Sequence, residues 1–257
     1  MILFDSPTRQ SLQQAFPNYR MVFAPCLDST NLECQRRWQE DPKSHWLILA
    51  DEQTAGRGQH GRKWVSAPHA NLYLSFTWDN CFAHHVGYLN LFLGVVIWET
   101  IGNLYPTLRP SITAKWPNDI YVHEKKLAGL LVQNLDNSLG RLVIGIGINV
   151  YGLRHQIPET ATSLALAMAD QGGVIGSMAR VALVRGLLSR LQTEETQRYQ
   201  QDPPLILERF WQATQRTRER PYLYHVYDVP VLATIIALNP DGTVMAKDVA
   251  GNTIHLR

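Results

Sequence analysis

Three permanent cations and three glycines are concentrated in one short segment, residues 56–64, whose sequence is GRGQHGRKW. Glycine lets backbone N–H groups approach an anion closely, and Arg57, Arg62 and Lys63 bring positive charge to the same segment. These residue types at this spacing suit a phosphate or an acyl-phosphate. The alternative is a solvated basic turn that holds no ligand.

The same segment matches the pattern G-x-G-x-x-G, but its surroundings exclude a dinucleotide-binding turn. That turn would open an apolar helix directly after a strand, whereas this segment is polar and leads towards another strand. It also lacks the G-K-[ST] ending of a P-loop. Residues 51–63 show no hydrophobic periodicity, so we expect a mobile loop that orders around an anion.

A second candidate is Lys115-Trp116-Pro117-Asn118-Asp119, which places a cation and a carboxylate four residues apart at a strand end. A lysine can neutralise a phosphate, and the side-chain oxygens of Asn118 and Asp119 are ligands that Mg²⁺ accepts. The alternative is a strand edge with an apolar tryptophan plug and a structural proline.

Three further positions have both a functional and a purely structural interpretation. Lys126 is expected at a hairpin tip formed by residues 123–126, where a lysine is normally solvated. Gly145 and Gly147 fall inside a predicted strand, which indicates either close approach of a ligand or backbone, or a bulge. Residues 29–31 stand at a predicted helix start, where they can cap the helix or hold a polar ligand group.

The elements that must position these residues mix strands and helices. After a loose lead-in of about 20 residues, strands are predicted at 21–26, 45–50 and 71–78, with helices at 28–39 and 85–104. Short strands follow near 111–116, 119–123, 128–134 and 141–150. Helices are then predicted at 161–169, 176–199 and 204–216, the last two separated by Pro203-Pro204.

The character of the chain changes after Pro221. Turn signals separate three short predicted strands, at 230–238, 243–249 and 253–257. We therefore place a domain boundary near Arg220–Pro221, which gives a large domain, 1–220, and a small β domain, 221–257.

Composition excludes several classes of protein. The 257 residues are 45% hydrophobic and carry a net charge of only +2, which argues against a dedicated nucleic-acid binder. Cys26, Cys34 and Cys81 form no CxxC pair, so a reducing compartment is expected. Asp5 interrupts any signal-peptide core, and the longest apolar run, 91–98, is too short to span a bilayer. The sequence thus predicts a cytoplasmic protein without membrane or DNA partners.

In their order and spacing, six motifs resemble those of biotin protein ligases, the biotin–[acetyl-CoA-carboxylase] ligases. They span about 120 residues and are Ser29-Thr30-Asn31, Gln53 with GRGQHGRKW (56–64), ANLYLS (70–75), KWPNDI (115–120), KLAGLLV (126–132) and GIGINV (145–150). GRG..GR.W together with KWPND is the most specific part of the resemblance.

The resemblance implies an α+β fold. Its catalytic domain would have a mixed β-sheet akin to class II aminoacyl-tRNA synthetases, followed by a small C-terminal SH3-like β domain. The implied reaction joins biotin and ATP into biotinyl-5′-AMP with release of pyrophosphate. The biotinyl group then passes to a lysine of the biotin carboxyl carrier domain of acetyl-CoA carboxylase. ATP with Mg²⁺ is co-substrate, and no tightly bound prosthetic group is expected.

The resemblance also assigns roles to residues. Lys126, Arg57 and Lys115 would act in catalysis, with Lys126 between the biotin carboxylate and the α-phosphate. Asn118 and Asp119 would serve Mg²⁺ or order the incoming lysine. The remaining implied contacts to biotin or the adenylate are Ser29, Thr30, Asn31 and Gln53 at the ureido ring, Gly58 and Gln59 in the loop, Trp64 over the adenine side, and Gly129, Gly147 and Asn149.

The sequence departs from the family pattern at a few places. Gln59 and His60 stand where many members have arginines, and Gln133 stands where glutamate is common. Only 28 residues precede Ser29, too few for an N-terminal helix-turn-helix domain, so a ligase of the single-function type is expected.

Three other functions remain open at this point. A lipoate or octanoate ligase or transferase shares the fold, although the arginine-rich loop and KWPND favour biotin. A DNA-binding biotin sensor is disfavoured by the net charge and the short N-terminal segment. A catalytically inactive nucleotide-binding module is disfavoured because both lysines and the glycines are present. The sequence leaves open whether the chain forms a homodimer.

Overall fold

The described part of the chain forms two β-sheets, one of seven strands and one of four. The computed structural model describes residues 4–79, 86–136, 140–202, 204–226 and 229–256, but not the side chains of His60, Val86, Glu194, Glu195, Thr196, Gln200 and Val226. Cys81, Pro203, Arg257 and the predicted helix start at residue 85 therefore lie outside the described residues.

The large sheet is mixed, with strand order β1-β2-β3-β7-β6-β5-β4. Among the described strands of this sheet, β1 and β2 pair in parallel, and the other neighbours are antiparallel. Its strands are β1 Tyr19–Ala24, β2 His45–Ala50, β3 Leu72–Asp79, β4 Ile112–Lys115, β5 Asp119–Val122, β6 Lys125–Asn134 and β7 Arg141–Ile148. Strand β3 is buried along almost its whole length, so its polar residues Ser75 and Thr77 are buried together with its apolar ones.

Seven α-helices form within the residues that the structure describes. They are α1 Ser6–Ala15, α2 Thr30–Glu40, α3 Val86–Leu104, α4 Leu164–Ala169, α5 Ala179–Leu191, α6 Glu194–Gln201 and α7 Pro204–Ala213. Helix α2 packs on β2, β3 and β7, whereas α3 packs on β4, β5 and β6 and is covered by α5 and α7. No helix within the described ranges is both long and apolar enough to cross a bilayer.

The small sheet is antiparallel, in the order β11-β10-β9-β8. Its strands are β8 Tyr222–Val226, β9 Val229–Leu238, β10 Val244–Asp248 and β11 Thr253–Leu256. The turn between β9 and β10 lies against the large sheet, because Trp116 Nε1 donates to the carbonyl oxygen of Gly242 at 3.0 Å. The Tyr222 hydroxyl likewise donates to the carbonyl oxygen of His123.

Four predictions about the elements are corrected. The lead-in is not loose, because Asp5 caps helix α1 through the Thr8 N–H and Leu12 is fully buried. The helix predicted at 176–199 is two helices that meet at residues 192–193. Strand β8 was absent from the prediction. The hairpin turn is shorter than expected, so Lys126 lies inside strand β6 and not at a solvated tip.

Candidate active site

Buried polar side chains surround the start of helix α2. Ser29 is the N-cap residue, but its side chain makes no capping hydrogen bond, so capping alone does not explain it. Ser29, Thr30 and Asn31 are only 2%, 4% and 4% exposed. Polar groups buried to this degree need partners, since each unpaired one costs about 1–3 kcal/mol.

The partners form a set that we name the polar floor: Thr30, Asn31, Ser75 and Gln133. Ser75 Oγ donates to Asn31 Oδ1 at 2.6 Å and lies 2.8 Å from Thr30 Oγ1. Asn31 Nδ2 donates to Gln133 Oε1 at 2.8 Å. The Thr30 N–H and hydroxyl both donate to Gln53 Oε1, at 2.8 and 3.0 Å. These bonds hold each amide of the floor in a defined orientation.

Two glycines in strand β7 make room for side chains above the sheet. A Cβ at Gly145 would lie 2.0 Å from Asn31 Oδ1, and one at Gly147 would lie 2.5 Å from the Trp64 indole. Neither the β3–β7 nor the β6–β7 pairing shifts register, so these glycines do not mark a bulge. They allow Asn31 and Trp64 to lie directly against the strand.

The glycine-rich segment 56–64, which we name the flap, folds back on itself. Trp64 N–H donates to Gly56 O at 3.0 Å, and Gly58 N–H donates to Arg62 O at 2.7 Å. A single 3₁₀ turn, Gln59–Gly61, closes the tip, where Gly61 has a φ of +70° that favours glycine. The flap leaves Arg57, Arg62 and Lys63 exposed, and these side chains also line the pocket below.

Lys126 is held in place by a carboxylate on the neighbouring strand. Its Nζ lies 2.7 Å from Asp119 Oδ1 and 5.3 Å from the centre of the Trp64 ring. The Lys126 side chain is 32% exposed and that of Asp119 is 14% exposed. A Cβ at Gly129 would lie 3.1 Å from both partners, so glycine there leaves room for the pair.

One pocket joins the polar floor, the flap and the lysine. It contains the predicted residues Ser29, Thr30, Asn31, Gln53, Arg57, Gly58, Gln59, Trp64, Asn118, Asp119, Lys126, Gly129 and Gly147. Four cationic side chains line it against one carboxylate, so its potential favours an anionic ligand. Trp64 Nε1 is buried in this wall and has no hydrogen-bond partner within the described part of the chain.

Two predicted residues do not line this pocket. The Lys115 ammonium lies 5.4 Å from the Tyr121 ring and 5.0 Å from the Tyr224 ring, between the two sheets. Burial there lowers the pKa of Lys115. Asn149 is 5% exposed, and its Nδ2 donates to Thr162 O at 3.0 Å, which fastens the end of β7 to the following loop.

The residues predicted for Mg²⁺ supply only part of a ligand set. Asn118 Nδ2 donates to Leu130 O at 2.7 Å, which leaves its amide oxygen, and Asp119 is already paired with Lys126. No group of three His, Cys, Asp or Glu side chains in the described ranges could hold a metal. Mg²⁺ often uses one or two carboxylates and takes its other ligands from phosphates and water. Asn118 and Asp119 fit that mode and not an all-protein site.

Sequence reasoning missed two polar contributors, Ser66 and Ser75, and gave Gln133 only as a departure from a pattern. Ser75 lies within the ANLYLS motif, and a hydroxyl in the middle of a predominantly apolar strand was the available signal. Ser66 stands just outside GRGQHGRKW and carried no signal of its own.

Comparisons with known proteins match the part of the chain that holds this site. A family model described as "Biotin/lipoate A/B protein ligase family" matches residues 23–149. The "Bifunctional ligase/repressor BirA" of Escherichia coli (strain K12) is 36% identical over 154 residues, covering 58% of this chain and 46% of the relative. A "Biotin--[acetyl-CoA-carboxylase] ligase" of Mycobacterium tuberculosis is 31% identical over 149 residues, covering 56% and 53%. The chain thus spans about half the length of these curated relatives.

Similarity to a solved structure extends over nearly the whole chain. The structure of biotin protein ligase from Aquifex aeolicus in complex with biotin and ATP aligns with a TM-score of 0.71 at 26% identity. The alignment covers 92% of this chain and 95% of the Aquifex chain. Residues 23–149 hold the pocket-lining side chains of every motif described above. Residues 23–149 therefore form a domain of the biotin/lipoate A/B protein ligase family.

Proposed function

We propose that this protein is a biotin protein ligase, which joins biotin to ATP as biotinyl-5′-AMP and transfers the biotinyl group to a carrier-domain lysine. One observation carries the proposal: a single pocket has a buried, hydrogen-bonding end and a cationic end. Such a pocket is complementary to a molecule with a polar ring at one end and a phosphate at the other.

The polar floor with Gln53 supports biotin as the acid. Biotin carries a cyclic urea, with one acceptor oxygen and two N–H donors, and buried amides and hydroxyls can satisfy those groups. The dithiolane ring of lipoate has no comparable hydrogen-bonding groups. In a pocket for lipoate, the polar side chains of Thr30, Asn31 and Ser75 would be buried at a cost in free energy without any hydrogen bond to the ligand ring.

The cationic end supports adenylate formation. A carboxylate attacks the α-phosphate, so two anions must approach each other. Lys126 stands where a fixed charge reduces that repulsion, and Arg57 on the flap can follow the phosphate as the flap closes. Bound Mg²⁺, with Asn118 and Asp119 among its ligands, would neutralise triphosphate charge. The roles of Lys115 and Asn149 stay predictions.

The acceptor in this proposal is the biotin carboxyl carrier domain of acetyl-CoA carboxylase. The curated Mycobacterium relative is named for that carboxylase.

We further propose that residues 1–220 form the ligase domain, related in fold to class II aminoacyl-tRNA synthetases, and that residues 221–257 form an SH3-like domain. The four antiparallel strands β8–β11 support the second assignment. The cytoplasmic location also stays a prediction.

A mass measurement tests the function directly. The protein is incubated with ATP, Mg²⁺, a carrier domain of acetyl-CoA carboxylase and either biotin or lipoate. We expect the carrier to gain the mass of one biotin less one water, only when ATP is present. A carrier in which the acceptor lysine is replaced by arginine is the control. Modification by lipoate alone would contradict the choice of biotin, and no modification would contradict the ligase.

A further inference from the structure

A line of hydrogen bonds links the polar floor to the flap. Gln53 Oε1 accepts from the N–H and hydroxyl of Thr30, and Gln53 Nε2 donates to Ser66 Oγ at 3.0 Å. The Ser66 hydroxyl in turn donates to the carbonyl oxygen of Trp64 at 3.3 Å. Trp64 is the last residue of the flap, so the line runs from the start of α2 to the flap's end.

The donors and acceptors along this line allow only one orientation of the Gln53 side-chain amide. The Thr30 N–H can only donate, so the atom of Gln53 that it contacts is the amide oxygen, and the amide nitrogen faces Ser66 Oγ. Ser66 Oγ then accepts from that nitrogen, which leaves the hydroxyl hydrogen for the Trp64 carbonyl oxygen. If Gln53 were flipped, two donors would face each other and the Thr30 N–H would lose its acceptor.

An independent observation concerns Gly56, the first glycine of the flap. A Cβ at this position would lie 2.6 Å from Trp64 O, 2.8 Å from Ser66 Oγ and 3.1 Å from Gln53 Nε2. These are the three groups that form the flap end of the line. Glycine at position 56 therefore leaves the space in which these three groups meet.

We infer that Ser66 is a positioning residue for the biotin end of the pocket, where it holds the Gln53 amide in one orientation. Ser66 does not line the pocket itself, whereas Gln53 does. The second hydrogen on Gln53 Nε2 is not used by Ser66 and is a donor for the urea oxygen of the ligand. This inference rests on the proposed function, because it concerns how the acid substrate is held.

The experiment is a double-mutant cycle on the full chain with Ser66→Ala, Gln53→Met and their combination. Biotin-dependent pyrophosphate release is measured with biotin varied at saturating ATP, and then with ATP varied at saturating biotin. We expect Ser66→Ala to raise the KM for biotin about 3- to 10-fold, the range for losing one neutral hydrogen bond. The KM for ATP and kcat should stay within about twofold of wild type. Ser177→Ala removes an exposed hydroxyl and serves as the matched control.

The combined variant separates positioning from a general structural role. If Ser66 acts through Gln53, adding Ser66→Ala to Gln53→Met should raise the biotin KM by less than about twofold. The inference would be overturned if the increases in biotin KM of the two single variants multiply in the combined variant. An unchanged biotin KM in Ser66→Ala, or equal increases in its KM values for biotin and ATP, would overturn it as well. Thermal unfolding confirms that each variant folds. If Ser66→Ala does not fold, Gly56→Ala crowds the same groups and must raise the biotin KM. A wild-type protein that releases no pyrophosphate would instead overturn the proposed function.

Discussion

Lys126 and Asp119 form an ion pair across strands β6 and β5, with Nζ 2.7 Å from Oδ1. Gly129, the register partner of Asp119, leaves the space in which the two side chains meet. Lys126 is thus held at the pocket before any ligand binds. Its charge is partly neutralised by Asp119, and an incoming anion can compete for it.

Replacing Lys126 by alanine tests this arrangement. We expect adenylate formation to fall by about 10²–10³, the usual cost of losing one preorganised electrostatic stabiliser. The free energy of unfolding should fall by about 1 kcal/mol, because a half-buried pair contributes more than a solvated lysine. Pyrophosphate release and chemical denaturation measure the two effects. Lys125→Ala, one residue away on the same strand, is the matched control. Wild-type rates in Lys126→Ala would refute the role of Lys126.

Gly147→Ala is expected to displace Trp64 from the strand. The added Cβ would lie 2.5 Å from the indole, which cannot remain where it is. If Trp64 covers the adenine side, the KM for ATP should rise about tenfold, or about 1.4 kcal/mol. Trp64→Ala should give a similar increase, and the double variant should be no worse than Trp64→Ala. Gly176→Ala is the control, since a Cβ there meets nothing within 4 Å. Additive effects would contradict the coupling.

Gln59→Arg is expected to slow the escape of biotinyl-AMP. Gln59 lines the pocket at the flap tip, where a guanidinium would offer charged, rigidly arranged donors to the phosphate. A charge-assisted hydrogen bond exceeds a neutral one by about 1 kcal/mol, which corresponds to roughly fivefold slower dissociation. Stopped-flow chase of the adenylate measures the rate. The same substitution at exposed Gln171 is the control, and equal rates would remove Gln59 from the retaining contacts.

The flap is expected to become resistant to protease when biotin and ATP are present. Its side chains Arg57, Arg62 and Lys63 are exposed and are sites for trypsin. If cleavage requires opening, ligand at about ten times its Kd should slow it about tenfold. Mass spectrometry of the early fragments follows each site. Cleavage after exposed Lys43, outside the flap, should not change. Equal cleavage of the flap with and without ligand would show that it does not close.

Lys115 is expected to make stability rise with pH. Burial lowers its pKa from the ordinary 10.5, opposed by Asp119 and reinforced by Lys126 and Arg62. Between the lowered value and 10.5, the unfolded chain binds a proton that the folded chain has released, so the free energy of unfolding increases with pH. Lys115→Met should remove that increase, whereas Lys43→Met should not. Denaturant titrations from pH 7 to 10 measure it, and parallel curves for wild type and Lys115→Met would contradict it.

Local sequence patterns were sufficient to predict most of the helices and strands that carry the pocket residues. Helix α2 was predicted at 28–39 and forms at Thr30–Glu40, and the strand predicted at 71–78 forms at Leu72–Asp79. The motifs that resemble biotin protein ligases lie on these elements and on the hairpins between them. The helices and strands were predictable because capping residues and side-chain periodicity act over only a few residues. The order and spacing of the motifs along the chain indicated the family.

The sequence by itself thus determined the type of fold, the family and most residues of the pocket. Tertiary structure alone decided the surroundings of Lys126, the position of Lys115 between the two sheets and the link through Ser66. These depend on contacts between segments far apart in the chain, such as Trp116 with Gly242, 126 residues later. Local pattern carries no information about such pairs, since burial and hydrogen bonding across sheets are set only when the whole chain packs.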